Sequence, residues 1–266
     1  MSLSSLIEFS DATVGGSGRF LDSARIERIT WSVQSGEFWV VGARPRVGKT
    51  DLLATAAGLQ RPIAGECRLF GSRLEDLSDS ERLAHRLRVG IVFENGGRLF
   101  SELTVEENLA LPVCYHRDCS AAEAADLVAR VLELTGLTRV GELKPAHVSH
   151  PLHQRIALAR ALILNPDVLL IDSPLFNSDP RQTGWWLDFL PSLAAGHPLL
   201  EGRGLTLVVT TTDFRPWLAS NRSFAIIHRQ RWEVLGGLPQ LEQTDHPLAR
   251  SMLTGCWNDS DQADFI

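Results

Sequence analysis

The chain has 266 residues, of which 44% are hydrophobic and 22% are charged, as in a soluble globular protein long enough to bury a large core. No stretch approaches the roughly 18 apolar residues of a spanning helix, and residues 1–10 lack an export signal, so we expect a cytoplasmic protein. The net charge of −6 argues against a nucleic-acid partner, and the scattered cysteines match no zinc or disulfide pattern.

The order of predicted elements indicates an α/β protein. Alternating apolar residues predict two antiparallel strands at residues 6–12 and 29–33, separated by a glycine-rich turn. Apolar runs predict buried strands at residues 38–41, 90–93, 167–172 and 205–210. Helical periodicity and charge predict helices at residues 51–59, 81–90, 120–136 and 154–164. Because strands alternate with helices, we predict a parallel sheet core, an antiparallel β-lobe and a helical subdomain at about residues 95–165.

The segment GARPRVGKT, residues 42–50, lies between a predicted strand and a predicted helix, where a P-loop (Walker A) motif belongs. We call it the phosphate loop. Gly48 lets the backbone approach phosphate, Lys49 reaches the β and γ phosphates, and the Thr50 hydroxyl can hold Mg²⁺. The predicted ligands are therefore ATP and Mg²⁺, with the nucleotide-binding residues Gly42, Arg46, Val47, Gly48, Lys49, Thr50 and Asp51.

The phosphate loop departs from the motif at several positions. Ala43 stands where the first glycine belongs, and Gly42 lies one residue too early. Pro45 removes an amide donor and Arg46 occupies a position usually kept small, so we expect a distorted loop and weakened ATP binding. An ordinary strand–turn–helix junction with a chance GKT remains the alternative.

The motifs that follow have the order and spacing of one family. They are GIVFENGGRLFSELTVEENLALP at residues 90–112, VSHPLHQRIALARAL at 148–162, PDVLLIDSPLFNSDP at 166–180 and VVTTTDF at 208–214. Over residues 6–237 the chain resembles the nucleotide-binding subunits of ABC transporters, and the LTVEENLALP stretch is most similar to mammalian-cell-entry (MCE) type lipid-transport ATPases. The resemblance implies a P-loop NTPase fold, an integral-membrane permease as partner and a location on the inner face of the cell membrane.

The resemblance also shows which reacting residues are replaced. Ser173 stands where the family has the glutamate that polarises water, Thr212 replaces the switch histidine, and Glu94 replaces the glutamine of the Q-loop. The implied Mg²⁺ ligands are Thr50, Glu94 and Asp172. A serine is too weakly basic to replace the glutamate, so base assistance of about 10² to 10⁴ in rate should be missing.

The signature loop is altered as well. Ser149 survives, whereas His150, Pro151 and Leu152 replace Gly, Gly and Gln. In the family this loop contacts the nucleotide held by the opposite subunit, so a homodimer would have no intact composite site. Gly16 lies near the position of the family's adenine-stacking aromatic.

We therefore expect an ABC-type nucleotide-binding domain at residues 1–240 followed by a C-terminal tail at 241–266, which we expect to be irregular or loosely docked from residue 243 onward. Its expected function is to support a membrane transport complex as a homodimer or a heterodimer, with weak or absent ATP binding and poor hydrolysis. Two alternatives remain open from the sequence: a slow but real ATPase that energises lipid transport, and a scaffold that binds no nucleotide.

Overall fold

A computed structural model of the protein describes residues 5–15 and 25–256. Residue contacts divide the chain into two compact units: unit 1 comprises Met1–Ser78 and Leu207–Ile266, and unit 2 comprises Asp79–Thr206. Gly16 and residues 257–266 lie outside the described residues, so the expectation for adenine stacking concerns a part of the chain not described.

The strands follow the predicted order closely and extend most of the predicted ranges. Their bounds are β1 Ser5–Val14, β2 Ile26–Gln34, β3 Phe38–Ala43, β4 Ala64–Leu69, β5 Ser72–Arg73, β6 Val89–Val92, β7 Val168–Ile171, β8 Thr206–Thr211, β9 Ser223–His228 and β10 Arg231–Gly237. Sequence reasoning missed β4, β5, β9 and β10.

The helices include several that the sequence pattern did not reveal. Their bounds are α1 Lys49–Ala56, α2 Asp79–Leu87, α3 Val105–Arg117, α4 Ala121–Leu134, α5 His150–Leu162, α6 Pro180–Ala195, α7 Leu238–Glu242 and α8 Pro247–Thr254. Two missed helices, α3 and α6, contain internal prolines at Pro112 and Pro191. Proline signals a helix end in sequence reasoning, because it removes an amide donor and clashes with the preceding turn.

The pairing of strands confirms the predicted fold class. In unit 1, β1 pairs antiparallel with β2 and β4, which forms the β-lobe. Also in unit 1, β3 runs parallel to both β8 and β9, and its six residues are all buried. In unit 2, β6 and β7 are parallel. Strands buried on both faces explain the continuous apolar runs of β3 and β7.

The expectation of an irregular conformation from residue 243 onward was wrong for α8. His246 caps this helix through Nδ1, which accepts a hydrogen bond from the Ala249 amide at 3.3 Å. Leu248, Ala249 and Met252 are buried, with at most 1% of their surface exposed. The apolar residues lie at helical spacing, which the surrounding polar composition obscured.

Unit 2 buries its own apolar cluster among α3, α4 and α5. The cluster comprises Val105, Leu109, Val113, Ala124, Val128, Val131, Leu132, Leu137, Val148, Ile156, Ala159 and Ile163. Among the described residues, none of the helices is long and apolar enough to cross a membrane.

Candidate functional site

The phosphate loop of unit 1 has the predicted strand, loop and helix context. The strand β3 ends at Ala43 and α1 begins at Lys49, so four residues separate Ala43 from Gly48, which is the spacing of the motif. Gly48 adopts a left-handed conformation with φ of 93° at the N-terminus of α1. Lys49 is buried, with 7% of its surface exposed. The amide end of a helix attracts anions, so this arrangement suits a phosphate group.

Gly42 has a packing role that its place in the motif did not suggest. It lies within β3, and a Cβ atom at this position would come within 2.3 Å of the Phe214 ring and 2.9 Å of the Met252 sulfur. Both side chains are buried in unit 1. The absence of a side chain at residue 42 is therefore required by the core, while its contact with nucleotide stays a prediction.

Arg46 takes a backbone conformation that favours glycine. Its φ is 64°, in the left-handed region, which costs a residue with a Cβ atom roughly 1–2 kcal/mol. The loop thus keeps a left-handed turn at residue 46 although the sequence supplies arginine there. This explains why a small residue suits this position better than the arginine does.

We expect Arg46→Gly to be more stable than Arg46→Val by about 1–2 kcal/mol, because a β-branched residue is strained in the left-handed region. Urea denaturation of the two variants measures the difference. The same pair of substitutions at Arg86, an exposed residue of α2, provides the control. At Arg86 the glycine variant of the protein should be less stable than the valine variant, since the backbone is helical. Equal stability of the Arg46 variants would contradict the left-handed assignment.

Thr212 lies at the same sheet edge as the phosphate loop. In the parallel pairing of β3 with β8, Gly42 is opposite Thr211, and Thr212 follows directly. The Thr211 hydroxyl accepts hydrogen bonds from the Asp213 amide at 3.1 Å and from Trp217 Nε1 at 3.2 Å. The turn after β8 is therefore fixed, and it presents a half-buried threonine where the family has histidine.

Asp172 and Ser173 follow β7 in unit 2. The Asp172 amide donates to the Val92 carbonyl at 2.8 Å, and both side chains are buried, with 1% and 4% of their surface exposed. Ser173 adopts φ of 48°, and its hydroxyl donates to Asp172 Oδ1 at 3.2 Å. The serine hydroxyl is thus a hydrogen-bond donor to the aspartate, and it lacks the negative charge with which a carboxylate accepts a proton from water.

Gln154 is a residue of this region that sequence reasoning missed. Its Nε2 donates to the Asp172 carbonyl at 2.9 Å and to the Phe93 carbonyl at 3.4 Å, and 7% of its surface is exposed. Glu94, which is half-buried, follows Phe93 directly. Within unit 2, the buried Gln154 amide therefore links α5 to Phe93, which follows β6, and to Asp172, which follows β7. In the sequence, only the position of Gln154 in the altered signature motif could have indicated that it links these segments.

The signature loop leads into α5, which begins four residues earlier than predicted. Ser149 is the N-cap residue and Pro151 lies in the first turn, where the missing amide breaks no helical hydrogen bond. Pro151 still removes one donor from the helix start that would face an anion. His153 Nε2 contacts the carbonyls of Pro145 at 3.0 Å and Val148 at 3.2 Å. The side chain of His153 in α5 therefore holds the preceding loop to the helix.

Arg155 anchors α5 to α6. Its guanidinium lies 3.7 Å from the centroid of the Trp185 ring, a cation–π contact. Burial, followed by the charge of Arg181, lowers the pKa of Arg155 to about 10. The arginine that fits the family pattern thus acts in packing between helices.

The LTVEEN stretch is explained by local hydrogen bonds at the start of α3. Thr104 and Glu107 form a capping box, in which the threonine hydroxyl accepts from the Glu107 amide and the glutamate accepts from the Thr104 amide. Asn108 is fully buried: its Oδ1 accepts from the Phe100 amide at 2.9 Å, and its Nδ2 donates to the Phe100 and Thr104 carbonyls. These residues fix the loop that precedes the helix.

The chain carries a loop of the GK[ST] type between a buried parallel strand and a helix, and it also carries an apolar strand that is followed by an aspartate. These two features define a P-loop nucleotide-binding protein. Residues 26–176 match the family model described as ABC transporter, and the chain belongs to this family.

Relatives and solved structures agree with this family. The probable ribonucleotide transport ATP-binding protein Mkl of Mycobacterium leprae is 26% identical over 259 residues, covering 92% of this chain and 73% of that protein. The intermembrane phospholipid transport system ATP-binding protein MlaF of Escherichia coli K12 is 26% identical over 254 residues, covering 96% and 90%. The ATP-binding cassette MJ0796, in a dimeric post-hydrolysis state with ADP and Pi, matches with a TM-score of 0.74 at 25% identity, covering 87% and 98%.

Proposed function

We propose that this chain is the ATP-binding subunit of a membrane transport complex, that it binds ATP with Mg²⁺ weakly, and that it hydrolyses ATP poorly. The family membership and the intact Lys49 and Thr50 support the first two parts. Phospholipid is the cargo class we favour, because the LTVEENLALP stretch resembles lipid-transport ATPases and MlaF is named for phospholipid transport.

The loss of hydrolysis rests on one observation, the hydrogen bond from the Ser173 hydroxyl to Asp172 Oδ1 at 3.2 Å. At this position the reaction needs a carboxylate that accepts a proton from water. Ser173 offers neither the charge nor the reach, and its hydrogen is directed to the neighbouring aspartate. Thr212 also lacks an imidazole ring that would contact the γ-phosphate.

The residues present fit a phosphate group and its metal ion. The helix start at Lys49 and the buried lysine side chain suit the β and γ phosphates. Hard oxygen ligands suit Mg²⁺: unit 1 carries the Thr50 hydroxyl, and unit 2 carries the carboxylates of Asp172 and Glu94, which the family resemblance implies as further ligands. Bound Mg²⁺ would neutralise charge on the phosphates, while this chain's own residues would hold the nucleotide without activating water.

The partners we propose are an integral-membrane permease and a second ABC subunit, with the chain peripheral on the inner face of the membrane. Because this chain alters both its phosphate loop and its signature loop, an identical partner would leave neither composite site intact. A competent ABC subunit would supply one intact half to each composite site, so both sites would be weakened in a heterodimer as well. The proposed partner subunit is therefore either a second copy of this chain or another ABC subunit. Co-expression of this chain with candidate permeases and ABC subunits, followed by purification of the complex, tests this pairing.

The test of poor hydrolysis measures ATP binding and phosphate release on the same purified chain. We expect saturable binding of labelled ATP with Mg²⁺ and phosphate release at the background of a protein-free sample. Turnover of about 1 s⁻¹ or more, the low end of ordinary enzymes, would overturn the proposal. Absence of any binding would favour the scaffold alternative.

We expect Ser173→Glu alone to leave turnover within about twofold of background, because catalytic groups act as a unit and Thr212 and the signature loop remain changed. The measurement is phosphate release by three variants: Ser173→Glu alone, Ser173→Glu combined with Thr212→His, and the control Ser80→Glu in α2. If Ser173→Glu alone raised turnover about tenfold or more, only the general base would have been missing.

A further inference from the structure

Two cysteines lie at the end of α3, in unit 2. Cys114 lies in the last turn of the helix, and Cys119 follows the residue that ends it. That residue, Asp118, has a left-handed conformation with φ of 50°. The Cys119 amide donates to the Cys114 carbonyl at 3.3 Å. This six-to-one hydrogen bond is the closure of a Schellman motif.

The geometry of this helix end places the two side chains in contact. In a Schellman motif the residues joined by the six-to-one hydrogen bond also bring their side chains together, usually as an apolar contact. Here both positions carry thiols, and the Cys114 thiol raises the pKa of the Cys119 thiol. The Cys119 sulfur also lies 3.9 Å from the Val113 carbonyl. Both cysteines are half-buried and pack against the apolar cluster of unit 2.

The surroundings assign different parts to the two sulfurs. Burial raises the pKa of the Cys119 thiol, and the charge and hydrogen bond of Cys114 raise it further, followed by the charge of Glu123; only the charge of Arg117 lowers it. A thiolate attacks oxidants and a thiol does not, so the raised pKa of Cys119 suits it to be the resolving cysteine and leaves the first attack to Cys114.

We propose that Cys114 and Cys119 form a redox-responsive dithiol that peroxides oxidise to an intrachain disulfide. The Cys114 thiolate attacks a peroxide oxygen, the O–O bond breaks, and Cys114 becomes a sulfenic acid while hydroxide leaves. The Cys119 sulfur then attacks the Cys114 sulfur, the S–O bond breaks, and water leaves with the Cys119 proton. The two sulfurs are oxidised, the peroxide is reduced, and a thiol reductant restores the dithiol.

The other two cysteines of the chain serve as internal references. Burial raises the pKa of Cys67 to about 12, and a buried thiol of this kind is unreactive. Cys256 is exposed and reports non-specific oxidation. Transient disulfides of redox sensors are compatible with a reducing cytoplasm, where structural disulfides are rare.

Hydrogen peroxide treatment of the full chain, followed by alkylation and intact and peptide mass spectrometry, tests the proposal. We expect the loss of about 2 Da, the loss of two alkylatable thiols, and a linked Cys114–Cys119 peptide that dithiothreitol reverses. The Cys256→Ser variant should form the same linked Cys114–Cys119 peptide as the unmodified chain. A disulfide that contains Cys67 or Cys256, or oxidation of Cys256 while Cys114 and Cys119 stay reduced, would overturn the proposal.

Single variants test the assignment of the nucleophile. In Cys119→Ser the sulfenic acid cannot be resolved, so dimedone should label Cys114. In Cys114→Ser we expect no disulfide and at least about tenfold less dimedone on Cys119, because a protonated thiol reacts slowly with peroxide. Stronger labelling of Cys119 in Cys114→Ser than of Cys114 in Cys119→Ser would refute the assignment.

Discussion

Replacing Lys49 by alanine is expected to weaken ATP binding by about 10- to 100-fold, because a hydrogen bond to a charged group contributes roughly 1.5–3 kcal/mol. Lys49 is the first residue of α1 and is buried, so it belongs to the helix start that would receive the phosphates. Alanine is the best helix former, so α1 should keep its structure. Titration with labelled ATP and Mg²⁺ gives the dissociation constant.

The control for this prediction is Lys144→Ala in unit 2. The Lys144 side chain is 48% exposed, and its Nζ lies 3.5 Å from Glu102 Oε2. The Lys144→Ala substitution therefore removes the same charge as Lys49→Ala, but from an exposed ion pair. We expect no measurable change in ATP affinity, because an exposed ion pair contributes at most about 1 kcal/mol and lies outside the nucleotide site. Equal affinity of Lys49→Ala and the unmodified chain would exclude the phosphate loop as the nucleotide site.

Replacing Phe214 by alanine is expected to destabilise the protein by about 3–5 kcal/mol, through lost burial and the cavity left behind. Phe214 is fully buried, its ring lies 5.5 Å from that of Phe224, and its ring tip fills the space that the missing side chain of Gly42 leaves open. The Phe214 amide also donates to the Met252 carbonyl of α8 at 3.3 Å. Urea denaturation followed by tryptophan fluorescence measures the loss.

Two further variants sharpen this experiment. Phe176 is 44% exposed, so Phe176→Ala should change stability by no more than about 0.5 kcal/mol. Gly42→Ala should cost about 1–3 kcal/mol by overpacking, and Phe214→Leu in the same chain should recover part of that loss. If Phe214→Ala cost less than about 1 kcal/mol, Phe214 would not pack between β3 and α8 as described.

The local motifs were predicted well because their chemistry lies in consecutive residues. The GKT triplet between an apolar strand and a helix specified the phosphate loop, and β3 and α1 flank it as expected. Thr212 and Ser173 could be placed because Thr212 directly follows β8 and Ser173 lies two residues after β7. The predicted Mg²⁺ ligation, signature function and domain limits stay predictions.

Contacts between distant residues were beyond sequence reasoning. Gln154 hydrogen-bonds to the Asp172 carbonyl 18 residues later, and nothing in the local pattern selects that partner. The thiol pair was missed for a different reason: Cys114 and Cys119 meet only because Asp118 reverses the chain at the end of a helix that Pro112 had hidden. An irregular conformation was wrongly expected for α8, since its apolar residues are few and acquire helical order by packing.

The sequence by itself determined the family, the order of the strands and helices that it predicted, and the loss of a carboxylate at Ser173, because each depends on residue type and spacing along the chain. Tertiary structure decided why Gly42 must be glycine, where the Ser173 hydroxyl directs its hydrogen, and that α8 belongs to the core of unit 1. The physical reason is that close packing and hydrogen-bond direction are properties of atoms brought together by folding, and the linear spacing of residues does not contain them.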